Sequence, residues 1–234
     1  MAASSGGTAD SGGTTDTGGT SDADGDANTG GFADSGGTAS WESWSPWDPA
    51  AVRSRVAELA RRDPGCTRFG ADQHRYRLAP PLPAAELHAF ESLHGIELPG
   101  PYRDFLLRVA NGGAGPQHGL FPLTGPSAYP GPPDDWAAED VREHDRRPGA
   151  LATPFRLTEA WRPRPGERFD PDALVAGTLA VAEAGCGEFV RLVVTGEQRG
   201  RVWFADLEVW PSLTPGPDFG AWYAAWLTDA PGRG

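Results

Sequence analysis

The stretch Leu78–Leu123, LAPPLPAAELHAFESLHGIELPGPYRDFLLRVANGGAGPQHGLFPL, decides how this chain is read. It has the form of two short helices, a glycine-rich turn and a lead into a sheet. Pro83 stands where a first helical residue belongs, because an N–H there has no intrahelical partner to lose. Leu87, Phe90 and Leu93 follow at helical spacing, and Gly95 offers a left-handed stop. A second helix starts near Gly100, carries Tyr102, Phe105, Leu106 and Val109 on one face, and ends at Asn111-Gly112-Gly113. Gly119-Leu120-Phe121-Pro122-Leu123 reads as a short strand. Gly112, Gly113, Gly115 and Gly119 read as turn chemistry, positive φ and close backbone approach, with no ligand assigned to them.

Working outward, Asp48-Pro49 opens a helix with an N-cap and a proline at its first position. Val52, Val56 and Leu59 form its apolar face, and it ends near Asp63-Pro64. Cys66 to Leu78 reads as irregular or strand-like. Thr124 to Arg168 is rich in Pro, Gly and charge, which implies long loops. Short helices are expected there around Asp134–Glu143 and near Leu157–Trp161. Then come three runs, Gly177–Glu183, Glu188–Thr195 and Arg201–Glu208, joined by Gly-containing turns. They predict an antiparallel meander. Asp218 caps a last helix whose Phe219, Trp222, Tyr223 and Trp226 form a stripe for the core. The fold class is therefore α+β, a mostly antiparallel twisted sheet packed with helices.

Residues 1–40 are mostly Gly, Ser, Thr, Ala and Asp, with one aromatic residue, Phe32. Such a segment buries too little apolar surface to offset its ordering entropy, so a disordered acidic tail is expected. Gly-Gly pairs at Gly6, Gly12, Gly18, Gly30 and Gly36 give it a weak repeat. As a flexible coil it would reach on the order of 35 Å. Residues 41–48 form a connecting arm with Trp41, Trp44 and Trp47. Indoles are unfavourable in water, so docking of the arm on the domain is favoured over an exposed motif. The remaining domain is placed at residues 49–230.

The 234-residue chain carries a net charge of −12, and six of those charges are aspartates of the tail. It contains no lysine, so Walker-lysine, Schiff-base and Ser-Lys chemistry have no residue to use. An acidic chain with scattered arginines fits nucleic-acid binding poorly. Cys66 and Cys186 lack CxxC spacing, which argues against a zinc site. Two thiols in a domain of this size suggest a reducing compartment, though a single disulfide between them stays open. The chain shows no signal peptide and no membrane-length apolar run, so it is expected in the cytoplasm.

The residues Phe90-Glu91, Leu98-Pro99, Tyr102, Phe105-Leu106, Asn111-Gly112-Gly113 and Gly119-Leu120-Phe121 resemble the signature of the Smi1/Knr4 (SUKH) superfamily. The Gly-rich turns and strands from Gly177 to Leu227 resemble its second half. The resemblance implies an interaction domain, not an enzyme, without cofactor or metal. It implies a protein partner, most often a toxin neutralised by a bacterial immunity protein of this type, a nuclease being one possibility. The alternative is a regulator or scaffold like the fungal members, which bind cell-wall and signalling proteins.

Candidate catalytic patterns in the chain have plainer readings. Gly185-Cys186-Gly187 leads into a strand, so a phosphate there would meet no helix N-terminus. His74, His88, His94, His118 and His144 show no HxxxH spacing; His88 and His94 read as surface or capping residues. Asp134-Asp135 and Asp170/Asp172 stand beside prolines and read as solvated charge or N-caps. Asp134, Asp135, Trp136, Glu139, Asp140 and Glu143, with Asp145 next in line, instead suggest an acidic partner-binding surface. They lie in one excursion that the core is not expected to need, partly neutralised by Arg142, Arg146 and Arg147.

Overall fold

The computed structural model describes residues 48–125 and 136–228, and in residues 136–138 the backbone only. The tail, the tryptophan arm, Asp134 and Asp135 lie outside the described residues. Seven helices and four strands run in the order α1 Pro49–Arg62, α2 Ala71–His74, α3 Ala84–His94, α4 Gly100–Arg108, α5 Trp136–Asp145, α6 Pro171–Val175, β1 Thr178–Gly185, β2 Glu188–Val193, β3 Arg201–Asp206, β4 Ser212–Asp218 and α7 Phe219–Thr228 among these residues. The sheet has the order β1-β2-β3-β4, every pair antiparallel.

Local chemistry sets the helix ends. Asp48 accepts the Ala50 N–H at 2.9 Å and Pro49 follows it, so α1 starts where an N-cap and a proline coincide. Gly95 ends α3 at φ 63°. Asp218 accepts the Ala221 N–H and starts α7 directly after β4. Asn111 clamps the chain beyond α4: its side-chain amide donates to the Thr124 carbonyl, and its oxygen accepts the Leu123 N–H. Gly113 sits at φ 113°, and a Cβ there would lie 2.6 Å from the Arg77 carbonyl, so only glycine fits.

One face of the sheet meets α1, α3, α4 and α7 in a continuous apolar core. Leu87, Phe105, Leu106, Val190, Leu192, Val202 and Tyr223 in it are fully buried. The other face is covered by α5, by α6 and by the chain from Phe155 to Trp161.

Several expectations are corrected. Leu93 is 80% exposed, whereas Glu91 and His94 are buried. Six residues along a helix amount to about 120° of residual rotation, so the face that starts at Leu87 passes through Phe90, Glu91 and His94. No helix forms at 157–161. Trp161 instead exchanges backbone hydrogen bonds of 2.8 and 2.9 Å with Leu213, and Phe155 donates to the Thr195 carbonyl. The 119–123 segment adds only isolated bridges beside β1, through Leu120 and Ala182. The short helices α2 and α6 and the strand β4 were not expected. Pro215 and Pro217 disguise β4, and an edge strand is where prolines are tolerated.

Candidate functional site

A cleft of about 310 Å3 opens on the second face of the sheet, between α5, α6 and the strands β2 and β3. Val175, Phe189, Ala205 and Leu207 give it an apolar lining, and Asp140, Asp172 and Glu208 give it carboxylates. Arg191 and Asp145 lie at its base. Both are buried and ion-paired to each other. Asp145 also accepts the Ala180 N–H at 2.7 Å, and the Arg191 Nε donates to the Thr178 hydroxyl at 2.7 Å. Thr178 passes the chain on to the Val175 carbonyl at 2.6 Å. Burial pushes the Asp145 carboxyl up, against the opposing pull of the Arg191 guanidinium and the Ala180 N–H. The network ties α5, α6, β1 and β2 together.

Two expectations about this region change. Asp145 is no part of an exposed acidic surface, because its carboxylate is consumed inside the fold. Nor is the excursion dispensable. The buried Arg142 donates to the Pro122 and Gly125 carbonyls at 3.1 Å, and Arg146 donates to the Leu123 carbonyl at 2.7 Å. These two arginines fasten α5 to the end of the signature stretch. Glu139, Asp140 and Glu143 are exposed on α5. Glu139 pairs with Arg142 at 2.6 Å, and of the three only Asp140 lines the cleft. Across from it Asp172 holds His144 and Arg147, at 3.1 and 3.0 Å. Trp136 opens α5, but its side chain is outside the described set.

Residues of the signature stretch do structural work. The buried Glu91 accepts the Leu98 N–H and the Arg103 Nε–H, at 3.0 and 3.1 Å, and so closes the turn between α3 and α4. Pro99 precedes α4, and Tyr102, Phe105 and Phe219 meet edge to face. Gly119 and Leu120 meet Gly113 across a bridge. A second buried polar centre lies beside α1. Asp63 accepts the Tyr76 hydroxyl at 2.6 Å, and the Thr67 and Arg68 N–H groups. Burial works to raise the Asp63 carboxyl, yet these bonds hold it well below the usual carboxylate range. His74, read only as a histidine without a motif, is buried next to it, and burial pushes its imidazole down to about 4.

Both thiols are free, Cys186 exposed and Cys66 partly so. Asp170 is the N-cap of α6. Among the described residues no group of three or more His, Cys, Asp or Glu is placed to hold a metal, and no helix is long and apolar enough to cross a membrane.

The model of the SMI1 / KNR4 family (SUKH-1) matches residues 81–225. The chain belongs to this family. No curated protein and no solved structure matches it. The matched range holds α3 through β4 and most of α7, so the sheet and the whole cleft lie inside the SMI1/KNR4 region, whereas α1 and α2 precede it.

Proposed function

We propose that this SMI1/KNR4 protein is a non-enzymatic binding domain that neutralises a toxin, acting in the cytoplasm as an immunity protein. Members of the family bind proteins, and many bacterial members are held to be immunity proteins. The observation that carries the reading here is the acidic surface on one side of the sheet. Glu139, Asp140 and Glu143 are exposed on α5, and Asp140, Asp172 and Glu208 border one cleft. A toxin that grips nucleic acid presents a basic groove. An acidic domain mimics that substrate, accelerates encounter and covers the groove. In this proposal residues 1–40 are a tether, 41–48 a connecting arm and 49–230 the binding domain.

The test starts from the reading frame beside this one. If it encodes a toxin, co-expression should restore growth of a sensitive host, and the two purified proteins should bind. Association should slow as salt rises, because exposed fields are screened beyond ~8 Å at physiological ionic strength. Reversing Glu139, Asp140 and Glu143 to Arg should slow it at least about tenfold while the fold survives. Unchanged affinity and salt dependence in the triple variant would remove α5 from the interface. Absence of any rescue would favour the regulator or scaffold reading.

A further inference from the structure

The turn between β1 and β2 and the loop between β3 and β4 lie at the same end of the sheet. Gly185 pairs with Glu188, and Glu188 with Asp206, so the turn and the loop emerge side by side. The loop is built around Asp206. Its carboxylate accepts the N–H groups of Glu208, Val209 and Trp210, at 3.1, 3.0 and 3.0 Å. This bonding fixes the loop and leaves Trp210 79% and Val209 56% exposed. On the other side of the neighbouring turn, Phe69 is 63% exposed and stacks on His118 at 5.0 Å. A Cβ at Gly185 would lie 3.9 Å from Phe69, and one at Gly187 would lie 3.3 Å from a Glu208 carboxylate oxygen. Phe69 and the loop that carries Trp210 thus flank one narrow glycine turn, and Glu208 joins that loop to the cleft.

Carboxylates gather at this end. Glu188 and Asp206 pair across the strands, and Glu208 and Asp140 line the cleft. The cations around the cleft are engaged, while the exposed Arg162, next to the Trp161–Leu213 bridge, stands on the β4 side of the loop. Arg191 is buried against Asp145, and Arg147 and His144 hold Asp172. Neither Glu208 nor Asp140 has an ion-pair partner among the described residues.

We propose that this end of the sheet is a docking surface for a basic polypeptide segment that presents an arginine or lysine beside an apolar side chain. The inference rests on the protein-binding reading above and adds the chemistry of the partner. Trp210, held in place by Asp206, is the anchor. A guanidinium or ammonium group lies over its ring face and reaches the Glu208 carboxylate, while the apolar neighbour packs on Val209 and Trp210. A rigid loop makes the anchor effective, because little ordering entropy is lost on binding. A second copy of this chain fits less well, since it brings the same negative charge. The chain's own tryptophan arm carries Glu42 and no cation.

The probe is a phage-displayed library of random dodecapeptides selected on the full chain. Enriched peptides should combine Arg or Lys with an aromatic or aliphatic residue. The synthesised peptides should shift the Trp210 indole N–H signal, assigned by its loss in Trp210→Phe. Trp210→Ala and Glu208→Arg should each weaken binding about tenfold or more. Leu93→Ala, which removes an equally exposed apolar group on α3, should leave it unchanged. The surface is overturned if no peptide is enriched, if the winners lack cations, or if they bind Trp210→Ala as they bind the parent. It is also overturned if peptides bind only after residues 1–47 are removed, which would make the arm the occupant, or if the chain is a dimer that Trp210→Ala dissociates. These outcomes stand apart from toxin rescue. Peptide binding without rescue would keep the surface and remove the immunity reading, and rescue without peptide binding would do the reverse.

Discussion

The two faces of the sheet are closed by different chemistry. On one, Leu179, Val181, Val190, Leu192 and Val202 meet the helices in a continuous apolar core. On the other, the apolar side chains form two separate patches. Ala180 and Phe189 make one with Phe121 and Val141, and Val193, Trp203, Ala205 and Leu213 make the other with Phe155 and Val175. Arg191 lies between Phe189 and Val193 on β2 and meets Asp145 in the gap. Apolar burial stabilises roughly in proportion to area. A buried ion pair adds little net, because desolvation offsets attraction, yet losing one partner strands the other charge. The helix-packed face therefore supplies stability, and the other face supplies a specified geometry that also shapes the cleft.

Two substitutions should break that contrast if it is wrong. Phe105→Ala should cost about 3–5 kcal/mol in urea unfolding, since the ring is wholly buried between Phe219 and Tyr223. Arg191→Met should cost a similar 3–5 kcal/mol or so, by leaving the Asp145 carboxylate unpaired. The faces should then differ in repair. Asp145→Leu added to Arg191→Met should recover most of the loss, because two apolar side chains bridge the patches. If the double variant stays as unstable as the single one, the hydrogen bonds to Ala180 and Thr178 carry the second face. The ion pair would then be a source of stability in its own right.

The first face was legible because its residues recur at helical and strand spacing. Tyr102, Phe105 and Leu106, and Phe219, Trp222 and Tyr223, declare it without knowledge of their partners. The second face was not. Its cover comes from α5, whose composition is that of a solvated helix, and Arg142, Asp145 and Arg146 turn inward to partners far away in sequence. One signal was present and unused. Strand alternation places Arg191 on the side of Phe189 and Val193, and a charge on an inward face needs a carboxylate from elsewhere. The surface at Trp210 was illegible for another reason: Trp210 follows the third expected strand, Arg201–Glu208, and no spacing there marks an indole as exposed. Leu93 and His94 exchange roles through helix arithmetic alone.

Acid should separate the helix-side periphery from the core next, with a smaller effect. An unfolded chain takes up a proton at the His74 imidazole near pH ~6.5, and the folded chain only near 4. Between those values the unfolded state binds more protons. Stability should therefore fall as pH drops from about 6.5 toward 4, by up to about 3 kcal/mol, and this contribution is fully present above pH ~6.5. His94 is held down by burial in the same direction, so His74→Asn should flatten the slope without abolishing it. Asn keeps an acceptor for the Tyr76 N–H, which His74 Nδ1 accepts at 3.0 Å. Asp63, held low, is lost only in stronger acid, as pH falls below the ordinary carboxylate range. The raised Asp145 carboxyl works in the opposite direction, so the His74 contribution is read from the pair: a parent and a His74→Asn variant with the same slope between pH 7 and pH 4.5 would mean that His74 is protonated in the fold, and that its pocket is wetter than its burial implies.

The smallest effect is expected from the tail. Residues 1–40 hold six aspartates, paired glycines and one aromatic residue, a composition with almost no apolar area to offer either face. Deleting them should shift the melting temperature by less than about 1 °C, given that 1 kcal/mol corresponds to roughly 2–4 °C in a domain of this size. The deletion keeps Trp41, Trp44 and Trp47, so it tests the glycine-rich segment alone. It also removes six negative charges, and any change confined to low salt would report their field, not packing. A loss of several degrees at high and low salt alike would show that the tail covers part of the fold. The second face, with its open cleft and exposed loop, would then be the first place to look for it. The contrast between a fully closed face and a partly open one would have to be redrawn.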